Sequence, residues 1–180
     1  MPHLNFWTKI GLQTMKYWIG LGSNLGNREE NLREALLALK RKKISLITLS
    51  AVYETEPLDF RDQPVFLNMA VEIETSQFPR ALLRTCKFIE REMGRRPASS
   101  NHPRIIDLDI LLAENRVLSL PDLTIPHPRM HKRRFVLEPL REIAPEIIHP
   151  VYKKTIRQLE KECQDTSLVR KFGYLKIPSS

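Results

Sequence analysis

The chain has 180 residues, 42% of them hydrophobic and 28% charged, with a net charge of +8. That suits one domain with a real core and excludes a disordered polyelectrolyte, while no run approaches the roughly 20 apolar residues of a membrane-spanning helix. The positive balance favours an anionic partner, whether nucleic acid, an acidic surface or a phosphorylated small molecule.

The two cysteines, Cys86 and Cys163, form no disulfide framework and no metal-ligand spacing, which points to a reducing, cytoplasmic setting. Residues 1–14 hold one Lys, no Arg and no apolar centre, and read as a disordered extension ahead of Met15. A first strand is predicted over 16–21, followed by a turn over 22–26. Asn27 then caps a helix, with Glu30 in the capping-box position. Leu32, Ala35, Leu36 and Leu39 give that helix its apolar stripe, and Lys40, Lys42 and Lys43 favour its C-terminal end.

A second strand is expected over 45–54, then an irregular loop over 55–64 containing Pro57 and Pro64. The third strand, 66–74, alternates cleanly. Leu67, Met69, Val71 and Ile73 share one face, and Phe66, Asn68 and Ala70 the other. Pro79 opens a second helix with the stripe Leu82, Cys86, Ile89 and Met93, and Gly94 ends it. A basic, Ser-rich loop over 95–103 precedes the fourth strand. From residue 114 onward the chain reads as short irregular pieces, a helix over 153–162 and a polar tail over 164–180.

The fourth strand carries the most informative pair. Asp107 and Asp109 interrupt Ile105, Ile106, Leu108, Ile110, Leu111 and Leu112, a set of β-branched residues and leucines that reads as a buried strand. Residues i and i+2 of a strand point the same way, so both carboxylates project together, roughly 6–7 Å apart at the backbone. Desolvating two such charges needs a cationic partner. Arg104 stands upstream, and a pair of hard divalent cations suits the oxygen donors better. The plainer alternative is a strand end with two solvated acids.

The order β-α-β-β-α-β is the ferredoxin-like pattern, an α+β fold with an antiparallel sheet and helices on one face. Phe66, Asn68, Asp107 and Asp109 should then emerge together on the opposite face, an arrangement for a flat polar ring and a metal-bound anion. Taken alone, Phe66 and Asn68 are as well explained by ordinary packing. The stretch from Thr124 through His127 to Arg133 and Phe135 adds candidate phosphate donors, with His127 alternatively a metal ligand. The glycines at 20, 22 and 26 lack the Lys-Ser/Thr ending of a phosphate loop and the spacing of a dinucleotide fingerprint. A basic ferredoxin-like sheet also suggests an RNA-recognition domain, but the third strand lacks the usual aromatic pattern and the two acids would repel a phosphate backbone.

Together the segments IGLGSNLG (19–26), YETEP (53–57), QPVFLN (63–68), IEREMGR (89–95), PRIIDLDI (103–110) and LTIPH (123–127) through Phe135 closely resemble the 6-hydroxymethyl-7,8-dihydropterin pyrophosphokinases. The resemblance implies a single pyrophosphokinase domain over 15–163, monomeric, without nucleic-acid or membrane partners. Its substrates would be ATP and the hydroxymethyl pterin, its cofactor two Mg2+ ions, and its product would enter folate biosynthesis. It implies metal binding by Asp107 and Asp109 and catalytic roles for these two and for Arg95 and Arg104. Pterin contacts would come from Thr55, Leu58, Phe66, Asn68 and Phe135. Nucleotide contacts would come from Lys87, Arg104, Thr124, His127 and Arg133. Asn101 and His102 depart from the family's usual aromatic and glycine, in a loop that closes over the site in family members.

Overall fold

The computed structural model describes residues 14–57, 63–95 and 102–177. The extension expected over 1–14 lies outside them apart from Thr14, as do Leu58, Asn101 and the centre of the basic loop. The elements are β1 (Met15–Ser23), α1 (Arg28–Arg41), β2 (Ser45–Leu49), β3 (Val52–Thr55), β4 (Phe66–Thr75), α2 (Pro79–Glu92), β5 (Asp107–Ala113), β6 (Leu118–Leu120), β7 (Leu123–Ile125), α3 (Arg134–Ile143), α4 (Ile156–Glu162) and β8 (Val169–Gly173). Five strands lie in the order β5-β1-β4-β3-β8, β2 also pairs with β4, and every pairing is antiparallel.

The ferredoxin-like core stands as the alternation predicted. Tyr17, Ile19, Leu21, Leu67, Met69, Val71, Leu108 and Ile110 all turn to one face, where they meet Leu32, Leu36, Leu82, Cys86 and Ile89 of α1 and α2. Asn27 caps α1 by accepting from the Glu30 amide at 3.1 Å, although the Glu30 carboxylate turns to Arg33 rather than back to the cap.

Three parts of the chain differ from expectation, each for a local reason. The predicted second strand is two strands, because the ladder breaks at Ser50 and Ala51. There the Ser50 hydroxyl accepts from the Ala70 amide at 2.9 Å, and the Ala51 amide donates to the Glu142 carboxylate at 3.0 Å. The region read as irregular contains α3, whose Val136, Leu137 and Leu140 pack with Trp18, Ala70, Leu111 and Leu112 on the second face of the sheet. Leu137 and Leu140 are fully buried, each worth roughly 2 kcal/mol, enough to hold a helix despite the missing Pro139 donor. Part of the second face is therefore covered by α3 and α4, and the rest stays open. Finally, the stretch expected as a tail contains β8, which extends the sheet beyond β3.

Candidate active site

The open part of the second face is a cleft of about 270 Å³ between the ends of β1, β4 and β5, the β3 terminus and the start of α3. Its floor is set by register. Gly22 lies between Asn68 on β4 and Asp107 on β5, and Gly20 between Ala70 and Asp109. Cross-strand partners share a face, so two residues without side chains sit beside the two acids. The expected turn thus begins later, and Gly22, like Gly20, is a strand position. A Cβ on Gly22 would stand 2.6 Å from the Asn68 Oδ1, whereas one on Gly20 would meet Leu111 at an ordinary 3.5 Å. Gly22→Ala is therefore expected to push the Asn68 amide out of place and weaken binding at that end of the cleft about tenfold. Gly20→Ala should leave that amide where it is; calorimetric titration of both variants checks the contrast.

Asn68 is buried, and its Nδ2 donates to the Thr55 Oγ1 at 2.7 Å, so its amide orientation is fixed from β3. Phe66 opens β4 on the same face, and Phe135 stands across the cleft in the first turn of α3. Each ring has a guanidinium over it: Arg104 over Phe66 at 5.4 Å and Arg133 over Phe135 at 5.6 Å.

The charges are arranged in layers. Arg95 follows Gly94, whose positive φ of 91° turns the chain at the end of α2 and aims Arg95 at β5. Arg95 bonds the Asp107 carboxylate and, at 2.9 Å, Glu90; Arg104 lies 3.4 Å from Asp107 on the other side. Burial raises the Asp107 carboxyl, but Arg104 and Arg95 outweigh it and hold it below the usual range. Asp109 is pushed upward by burial and by the Asp107 charge, and no hydrogen bond or salt bridge reaches it among the described residues. Burial holds His127 below its ordinary value against the pull of Asp109, helped by Arg133 and Arg129. The His127 amide donates to the Leu111 carbonyl at 2.9 Å and its Nδ1 accepts from the Arg129 amide, which fixes the ring next to β5.

Most of the expected site residues therefore converge. Thr55, Phe66, Asn68, Lys87, Arg95, Arg104, Asp107, Asp109, His127, Arg133 and Phe135 all line the cleft. Thr124 does not: it is exposed on β7, paired with Ser119. Leu58 lies outside the described residues. Four contributors were not among the expected site residues. Gly20 and Gly22 form the floor, and Arg129 adds a cation to the wall. Glu90 is 3% exposed, accepts from Lys87 and from the Leu108 amide between the two acids, and forms an ion pair with Arg95. Its sign was present, since a glutamate four residues after Cys86 falls on the buried stripe of α2. Asn24 is a further support: its side chain accepts from the Arg104 amide at 2.7 Å and its own amide donates to the Arg104 carbonyl.

Asp107 and Asp109 suit a hard cation. Among the described residues no cluster of three or more His, Cys, Asp or Glu side chains could hold a metal by itself. One or two carboxylates completed by substrate phosphates is the usual mode for Mg2+.

A family model described as 7,8-dihydro-6-hydroxymethylpterin-pyrophosphokinase (HPPK) matches residues 18–145. The chain is 46% identical over 131 residues to the Bacillus subtilis 2-amino-4-hydroxy-6-hydroxymethyldihydropteridine pyrophosphokinase, covering 72% of this chain and 78% of that protein. It is 42% identical over 142 residues to the folic acid synthesis protein fol1 of Schizosaccharomyces pombe, covering 78% of this chain but only 19% of that one. Among solved structures, a Plasmodium falciparum HPPK-DHPS chain superposes with a TM-score of 0.67 at 18% identity, over 86% of this chain and 46% of that one, a likeness of fold. The chain thus spans most of a bacterial relative's length and about a fifth of a fungal one's. With the family model covering the β1–α3 stretch that builds the cleft, the chain belongs to the 7,8-dihydro-6-hydroxymethylpterin-pyrophosphokinase (HPPK) family.

Proposed function

We propose that the protein transfers diphosphate from ATP to the hydroxymethyl group of 6-hydroxymethyl-7,8-dihydropterin, releasing AMP, as a step of folate biosynthesis. The observation that carries this reading is the meeting, in one cleft, of two aromatic rings and a fixed amide with two carboxylates and a ring of cations. Phe66 and Phe135 flank a flat heterocycle, and Asn68, held by Thr55, reads its polar edge. This seats the hydroxymethyl group toward Asp107 and Asp109, across the bare strip of Gly20 and Gly22.

His127, Arg133, Lys87 and Arg129 also line the cleft and supply cations and donors for the anionic nucleotide. The new bond forms between the hydroxyl oxygen and the β-phosphorus, and the bond to the α–β bridging oxygen breaks, leaving negative charge on AMP. Arg95 and Arg104 are placed beside Asp107 to receive that charge. Two Mg2+ ions held through Asp107 and Asp109 supply neutralisation of the triphosphate when bound.

The test mixes the protein with ATP, Mg2+ and the hydroxymethyl pterin and follows AMP by chromatography. Pterin-dependent AMP is expected. Its absence from well-folded protein would overturn the transferase reading in favour of a binding module.

A further inference from the structure

The second face of the sheet holds another charged centre, built around a residue no catalytic role accounts for. Glu142, on α3, takes four donors on its two carboxylate oxygens. Oε2 accepts from the Ala51 amide at 3.0 Å and from the Tyr53 hydroxyl at 2.7 Å. Oε1 accepts from Lys171 Nζ at 3.2 Å and from the Tyr174 hydroxyl at 2.9 Å. The first pair belongs to β3 and its entry; the second belongs to β8 and the residue after it.

Strand β3 is only four residues long, yet it ends in the cleft. Tyr53 pairs with Asn68 and Thr55 with Phe66 on one side, while Tyr53 pairs with Lys171 and Thr55 with Val169 on the other. Tyr53 and Thr55 point the same way, two residues apart. A shift of β3 along its neighbours would move the Thr55 hydroxyl off the Asn68 amide it accepts from. Short strands with a register irregularity, as β3 and β8 have between Val52 and Tyr53, need a side chain to fix their register.

We propose that Glu142 is a positioning residue for the pterin end of the cleft, clamping β3 to the C-terminal strand β8 so that Thr55 holds Asn68 in place. This rests on the pterin reading of the site. The C-terminal segment then belongs to the functional unit, although Tyr174 is an exposed residue outside the cleft.

Glu142→Gln replaces one acceptor oxygen with a donor facing two donors, and Tyr174→Phe removes one donor from outside. Kd for pterin and for ATP are measured separately by calorimetry, with KM and kcat from AMP release. In Glu142→Gln the pterin Kd and KM should rise about tenfold, and in Tyr174→Phe about threefold, with ATP binding within about twofold of the unmodified protein and kcat at saturating pterin retained. The double variant should be no worse than Glu142→Gln, because both act through one carboxylate. Equal weakening of both ligands, or an unchanged pterin Kd in Tyr174→Phe, overturns the proposal, and Tyr174→Phe decides it if Glu142→Gln fails to fold. Unmodified protein that binds pterin without forming AMP would instead remove the transferase reading and leave the Glu142 clamp to stand or fall on the pterin Kd.

Discussion

Asp109→Asn should lower pterin-dependent AMP release at least about a thousandfold, because it removes one of the two carboxylates proposed to hold the metal ions. The same substitution should leave the melting temperature unchanged or raise it by roughly 2–4 °C. The asymmetry follows from the surroundings of the side chain. Among the described residues no donor bonds the Asp109 carboxylate, burial disfavours its charge, and Asp107 repels it. Its charge is therefore expected to cost stability in the free protein, although His127, Lys87 and Arg104 offset part of that cost. Asp107 differs, since Arg95 and Arg104 both hold it. Asp107→Asn should therefore lose activity to a similar degree and melt lower as well. Differential scanning calorimetry alongside the AMP assay checks both. More than a tenth of normal turnover in Asp109→Asn would sink its proposed metal role, and a large fall in melting temperature would make its carboxylate structural.

The two aspartates were legible because a strand repeats every two residues and their neighbours are aliphatic. The same rule brought Phe66 and Asn68 to their face, and the structure keeps that grouping. The floor was not legible. Gly22 and Asn24, close after Gly20, carry the composition of a turn, yet Gly22 continues the strand that holds Gly20, and the missing side chains of the two glycines matter only once Asn68 and Asp107 are placed beside them. Spacing along one segment cannot report a neighbour supplied by another.

The C-terminal third failed for a related reason. The apolar stripe of α3 is short, it opens in a basic run, and Pro139 within it argues against a helix. What forms it is burial of Leu137 and Leu140 against Trp18 and Leu111, from strands far away in sequence. The burial of β8 is partial or absent along its length, so no alternation marks it. Its pairing with β3 is anchored by Glu142 on α3 rather than by a pattern of its own. Thr124 is a matching motif position whose side chain stands exposed on β7, outside the cleft.

Arg95 and Arg104, alike by motif, should separate when each is replaced by alanine. Both are expected to lose turnover, by about a hundredfold or more, because each is proposed to meet charge developing on the leaving AMP. Stability should distinguish them. Arg95 forms an ion pair with Glu90, which is 3% exposed and accepts hydrogen bonds from Lys87 and the Leu108 amide. Burial already raises the Glu90 carboxyl above its ordinary value, so a lost guanidinium leaves a poorly compensated group beneath β5. Arg95→Ala should accordingly melt roughly 5 °C lower. The Arg104 backbone stays clamped by Asn24 whatever its side chain, and its guanidinium pairs with Asp107, which Arg95 also holds. Arg104→Ala should then melt within about 2 °C of the unmodified protein. Arg95→Lys refines the argument: one nitrogen, Nη1, meets both Glu90 and Asp107, so a lysine ammonium reaching the same point keeps that charge while the other guanidinium donors are lost, and it should recover stability more than rate. Equal melting temperatures for the two alanine variants would mean that Glu90 does not depend on Arg95, and full recovery of rate by lysine would mean that charge alone, without the fork, suffices at this position.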